Sequence, residues 1–281
     1  MSACSISKTT QEYTNQPRND SGVGLFISAA FGPDGRLWRI VPAGDYVYVD
    51  YSTDFGVTFS HPVAVNNKAQ RIKARAEDRP SIAIDNRGYV YVIYFADEVQ
   101  PWTTYFSYSH DGGKHFSAPV RVSDHARKAK HYQDVMAITP SGRLYLFWND
   151  ERDQTDTLGA SLYYATSNPP ETLRFPNQKI KDSMCECCRI AVDIDRDGMP
   201  VILARFIFPG SLRDHGMLKM TPTGPKSRPW RVSYDQWQIE ACPEQGHHFS
   251  QPMAFGERRA LAGHGDVLAL GARVVLTWQE I

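Results

Sequence analysis

Three segments of this 281-residue chain share one phrase. Gly56-Val57-Thr58-Phe59-Ser60-His61-Pro62 returns as Gly113-Lys114-His115-Phe116-Ser117-Ala118-Pro119, and again as Gly246-His247-His248-Phe249-Ser250-Gln251-Pro252. The first two copies lie inside a longer pattern, Ser-x-Asp-x-Gly-x-x-Phe: Ser52, Asp54, Gly56, Phe59, then Ser109, Asp111, Gly113, Phe116. Repetition 57 residues apart implies like units that bury their apolar faces by stacking on one another. The residue types suit a hairpin corner. Asp accepts hydrogen bonds from backbone N–H groups two residues on, Gly takes a positive φ without steric cost, and the aromatic ring folds back beside the turn.

The rest of the chain obeys the same period. Each unit opens with an apolar run, a Gly-bearing turn and a second apolar run: Phe26–Phe31 then Leu37–Val41, Pro80–Ile84 then Tyr89–Phe95, Val135–Ile138 then Leu144–Trp148, Ile190–Ile194 then Val201–Phe206, Val267–Leu270 then Val274–Trp278. Val, Ile, Tyr and Phe bounded by Asp, Asn, Pro and Gly are strand and hairpin chemistry. No 3.6-residue periodicity competes with it. The turn glycines Gly35, Gly88, Gly142 and Gly198 are 53, 54 and 56 residues apart. The corner aromatics Phe59, Phe116, Phe175 and Trp230 are 57, 59 and 55 apart, the last two in corners without the Asp. One unit is thus about four strands, the blade of a β-propeller, and the innermost strands line a channel.

The period then breaks. Trp230 and Phe249 are only 19 residues apart, and Gly198 and Gly271 only 73, where two periods were due. Both shortfalls meet between Gly246 and His247. The sequence therefore reads as an all-β, six-bladed pattern with one blade largely missing and the last blade truncated. Residues 1–20 form a polar tail and 21–281 a single incomplete propeller domain. Open strand edges in such a ring invite self-association.

Lys and Arg together number 31, as do Asp and Glu, so no net charge draws the chain to nucleic acid. No apolar run is long enough for a transmembrane helix. The first 20 residues lack the apolar core of a signal peptide, and the compartment stays open.

Candidate chemistry gathers where the units' first strands begin. Cys185-Glu186-Cys187-Cys188 precedes the first strand of unit four, and Cys242 lies at the equivalent entry to the next unit. A disulfide from Cys242 to one of the three, a soft-metal site for Cu or Zn, and free thiols in a packed loop all remain open. His131 and His264, at corresponding entries, would add metal ligands. Arg79, Asp134, Arg189, His264 and Asp266 are placed at the channel mouth as candidate ligand-binding residues, suited to a small molecule or glycan bearing an anion. Asp193, Asp195 and Asp197 mimic a calcium loop, but they occupy the hairpin position and are read as a turn.

The corner pattern resembles the Asp-box, or BNR repeat, of the sialidase superfamily. Together with Cys-x-Cys-Cys, Trp237-Gln238-Ile239-Glu240-Ala241-Cys242-Pro243-Glu244-Gln245-Gly246 and Gly263-His264-Gly265-Asp266-Val267, it is similar to bacterial sialidase-like propeller proteins over residues 25–281. The resemblance implies a sialidase-like propeller fold whose boxes are structural. It implies an exo-sialidase only if three arginines, a Tyr–Glu pair and an Asp can be matched. Trp38-Arg39-Ile40-Val41-Pro42 echoes the superfamily's Arg-Ile-Pro signature in a second strand, away from the expected place. No catalytic residue is therefore assigned. The expected function is a ligand- or metal-binding propeller, with a sialidase-type glycoside hydrolase and a non-functional remnant as alternatives.

Overall fold

The computed structural model describes residues 26–74, 78–97, 103–124, 131–153, 159–169, 172–186, 188–234, 236 and 238, with the strand backbones of 247–248, 263–270 and 273–280. The first unit is β1 (Ser28–Phe31), β2 (Leu37–Ala43), β3 (Tyr46–Ser52) and β4 (Val63–Ala64), paired in that order. The second is β5 (Arg71–Lys73), β6 (Ser81–Ile84), β7 (Val90–Asp97), β8 (Thr103–Ser109) and β9 (Val120–Arg121). The third is β10 (His131–Ile138), β11 (Leu144–Asp150), β12 (Ala160–Ser167) and β13 (Gln178–Met184). The fourth is β14 (Ala191–Ile194), β15 (Pro200–Phe208), β16 (Leu212–Thr221), β17 (Gly224–Pro225) and β18 (Trp230–Arg231). Units three and four form one hydrogen-bonded sheet, joined by the single pair Met184↔Phe206. A further sheet holds β19 (His247–His248), β20 (Gly263–Leu270) and β21 (Arg273–Glu280). The described residues contain no helix, so none there is long and apolar enough to cross a membrane.

Every apolar run read from the sequence is a strand. The turns between first and second strands are near-copies: the Gly N–H bonds to the carbonyl three residues back at Gly35, Gly88, Gly142 and Gly198, over 2.8–3.0 Å. The acidic run follows this plan. Asp195 Oδ1 accepts from the backbone N–H groups of Asp197 and Met199, and Lys219 pairs with both Asp195 and Asp197. It is a hairpin turn.

The sheets stack face to face, and the two-residue period of a strand shows it directly. On β7, Val90, Val92 and Tyr94 pack with Trp38, Ile40, Val47 and Val49 of the first unit. The intervening Tyr91 and Ile93 pack with Leu144, Leu146 and Trp148 of the third. On β11 the other face, Tyr145 and Phe147, meets Ile202, Ala204 and Phe206 of the fourth. Middle strands are thus apolar on both faces, and β11 is buried along its whole length. Consecutive first strands lie side by side in the order β1, β6, β10, β14, β20.

The Ser-x-Asp-x-Gly corners share one hydrogen-bond pattern. Ser52 Oγ donates to Asp54 Oδ1 at 2.6 Å and accepts from Gly56 N at 2.7 Å; Thr58 N donates to Asp54 Oδ1 at 2.8 Å. In the second copy Ser109 Oγ donates to Asp111 Oδ1 at 2.8 Å and accepts from Gly113 N at 2.9 Å, while His115 N donates to Asp111 Oδ1 at 3.0 Å. The carboxylate therefore reaches four residues ahead rather than two, because the serine takes the nearer N–H groups. The Ser52 and Thr58 hydrogen bonds lower the Asp54 pKa to about 2.

One expectation needs correction. Trp230 is 45% exposed and fills no corner, since β18 pairs at the open side of β16 and its ring lies outside the described core clusters. His247–His248 pairs in parallel with Gly265 and Asp266. Cys4 and the 1–20 tail, Cys187, Cys242 and the rest of the third phrase lie outside the described residues, as do the side chains of His264 and Asp266.

Candidate functional site

The first strands of successive units run in one direction, so their starting ends share one face of the molecule. A cavity of about 50 Å³ opens there, lined by Ser28, Arg79, Ser81, Asp134, Val135, Arg189 and Ile190. Most lining residues stand at the start of a strand: Ser28 and Ser81 start β1 and β6, Arg79 lies two residues before β6, and Arg189 and Ile190 immediately precede β14. In unit three the strand continues through the position where its neighbours break. A register shift between Tyr132 and Val135 marks the spot, and such a bulge re-aims the side chain it carries. That side chain is Asp134.

Asp134 is held from behind. Its Oδ1 lies 2.7 Å from His131 Nε2, with both groups buried. His131 is stacked on Trp148, ring centroids 4.7 Å apart and 16° between planes. Trp148 Nε1 donates to Asp150 Oδ2 at 2.8 Å, and Arg152 Nη2 donates to the same oxygen at 2.7 Å. Burial pushes the Asp150 carboxyl upward, but the Arg152 hydrogen bond, His131 and the indole N–H outweigh it and hold the pKa below the ordinary value. Arg152 also reaches Asp124 and Asn177, which ties this layer to the outer strands. Asp134 Oδ2 and Arg79 Nε are buried without a hydrogen-bond partner among the described residues.

Arg79, Asp134 and Arg189, assigned to the channel mouth from repeat position, thus surround one cavity. Asp266 and His264 lie on β20, which packs beside β14. Arg39 is elsewhere: its guanidinium makes a two-point ion pair with buried Asp50, at 2.6 and 2.9 Å.

Cys185 and Cys188 form a second focus. Their sulfurs are 3.2 Å apart and both residues are buried as free thiols. Arg213 Nη1 donates to Cys185 Sγ at 3.4 Å. The Cys188 S–H bond lowers the Cys185 pKa to about 6, against burial and with help from Arg213 and Arg205. Of the Cys-x-Cys-Cys run, Cys185 and Cys188 are the described members, and they have Cys-x₂-Cys spacing. The arginines were missed. Arg205 and Arg213 lie on strands β15 and β16, and buried charges inside a strand were the signal available. Among the described residues no group of three or more His, Cys, Asp or Glu side chains is placed to hold a metal ion.

No protein-family model matches the sequence, and no curated protein matches it. Solved structures do. An α-L-arabinanase from Penicillium chrysogenum, complexed with arabinobiose, superposes with a TM-score of 0.51 at 15% identity, covering 78% of this chain and 67% of its own. An endo-arabinase from Bacteroides thetaiotaomicron gives 0.51 at 11% identity, covering 80% and 86%. A protein of unknown function from Dyadobacter fermentans gives 0.52 at 14%, covering 75% and 69%. The chain folds as a β-propeller. Likeness at these identities speaks to the fold alone, and the chain spans about two thirds of the Penicillium protein.

Proposed function

We propose that this propeller binds a carboxylate-bearing sugar at its channel mouth, with Arg79 and Arg189 receiving the carboxylate and Asp134 accepting from a neighbouring hydroxyl. The observation that carries this reading is the buried Arg79 Nε, which lacks a hydrogen-bond partner among the described residues and lines a cavity shared with Arg189 and Asp134. A buried guanidinium N–H without an acceptor is costly, and a carboxylate offers two oxygens in matching geometry. The cavity of about 50 Å³ has room for such a group. The neighbours' arabinan chemistry supports a carbohydrate as the body of the ligand.

Hydrolysis is the weaker reading. Sugar hydrolysis ordinarily uses two flanking carboxylates, and Asp134 is the one acidic side chain among the described lining residues. The six-bladed pattern, with one unit largely missing, rests on residue spacing. Four units supply the proposed site without the missing one.

Calorimetric titration with N-acetylneuraminic acid, glucuronic acid and neutral arabinobiose tests the proposal. The acids should bind and arabinobiose should not. Arg79→Gln should weaken acid binding roughly 10- to 150-fold, the equivalent of a charged hydrogen bond of about 1.5–3 kcal/mol. Equal binding of acid and neutral sugars, or an unaffected Arg79→Gln variant, would overturn it. Sugar release from a fluorogenic sialoside would shift the assignment to hydrolysis.

A further inference from the structure

We propose that Cys185 and Cys188 are a thiol–disulfide exchange site that accepts a low-molecular-weight disulfide and closes to an internal disulfide. The two sulfurs already stand 3.2 Å apart, where a bond requires about 2.05 Å. Cys185 is the nucleophile, because it receives both the Cys188 S–H and the Arg213 N–H. A thiolate is the attacking form, and cationic neighbours favour it. Its low pKa agrees with this geometry.

The surroundings separate this site from a metal centre. Arg205 on β15 and Arg213 on β16 are both buried beside the thiols, and Glu186 is the acidic residue of the loop itself. Two guanidinium groups stabilise a thiolate but repel a bound cation. No third described side chain completes a ligand set.

The step balances. The Cys185 thiolate attacks one sulfur of a disulfide R–S–S–R, forming Cys185–S–S–R and releasing R–S⁻. Cys188 then gives up its proton to the released thiolate and attacks the Cys185 sulfur. The Cys185–Cys188 bond forms as the second R–S⁻ leaves. The protein loses two electrons and the small disulfide gains them.

Access comes through the connection between β13, which ends at Met184, and β14, which begins at Ala191. Cys185 and Cys188 are buried there, so the sulfurs are reached through a local opening of this connection. A small disulfide needs the smallest opening.

Equilibrating the full chain with oxidised and reduced glutathione at graded ratios, trapping with acid and mapping peptides by mass spectrometry tests this. A Cys185–Cys188 disulfide that appears and disappears with the ratio is expected. In Cys188→Ser, Cys185 should stop at the mixed disulfide and gain the mass of one glutathione. Arg213→Gln should slow iodoacetamide labelling of Cys185 at neutral pH by roughly tenfold. A Cys185 that pairs only with Cys242 or Cys187, or no disulfide at any ratio, would overturn the proposal. The wild-type map is decisive even if a variant fails to fold.

Discussion

Replacing Gly113 by alanine tests how two neighbouring units lock together. Gly113 belongs to the corner after β8 and has φ of 79°. A Cβ there would lie 2.6 Å from Cζ3 and 2.9 Å from Cη2 of Trp38, on β2 of the first unit. Trp38 has nowhere to go: it is 2% exposed and packs on Tyr51, with ring centroids 4.9 Å apart. The left-handed backbone costs alanine about 1–2 kcal/mol. Forcing extra volume against a fixed ring adds about 1–3 kcal/mol. Gly88→Ala supplies the control, since its φ is also 79° but a Cβ would meet nothing within 4 Å. Urea unfolding followed by tryptophan fluorescence should give Gly113→Ala the larger loss by about 1–3 kcal/mol at unchanged slope. Its near-ultraviolet circular dichroism should also change as Trp38 shifts. Equal losses at the two sites would show that the corner does not lock against Trp38, and the face-to-face account of the first interface would fall.

Two more outcomes follow from buried charge. Burial, with Arg205 beside it, lowers the His215 pKa to about 3. The unfolded chain takes up a proton near pH 6.5 that the folded chain refuses. Stability should therefore fall as pH drops below about 6.5, by at most about 1.4 kcal/mol per pH unit, and His215→Gln should flatten that slope in acid melting curves. Arg152→Met takes from the fully buried Asp150 carboxylate its guanidinium partner. It should cost about 3–5 kcal/mol in chemical denaturation, and a loss under 1 kcal/mol would refute the role given to the pair.

The fold was legible where side chains obey the repeat. First and second strands carried uninterrupted apolar runs and a Gly turn, so their number and spacing stood out. Third and fourth strands did not. Within β16, Arg213-Asp214-His215 reads as a polar loop, yet Arg213 and Asp214 are buried. Their charges are met by Cys185 and Arg231, partners that sequence distance hides. Arg79 and Arg189 could be placed near one another from sequence because repeat position predicts which end of a strand they occupy. The His131–Asp134 contact was invisible, since it depends on a bulge. The thiol pair was obscured by its own density: three cysteines in four residues suggested a cluster, and only the arginines of the next strands distinguish Cys185.

The broken inner edge of the sheets has a consequence for how such a molecule can change. In unit two, β5 and β6 both pair with the same side of β7, and the chain between them steps out of the ladder and back. In unit four, the end of β13 and then β14 do the same along β15. The detour leaves and rejoins a rail whose register is set elsewhere. Its length and wording can therefore be rewritten without moving the residues that follow. The two detours deliver Arg79 and Arg189 to the same cavity, so a library diversified there, sparing core Ile190, would reshape recognition on a fixed frame.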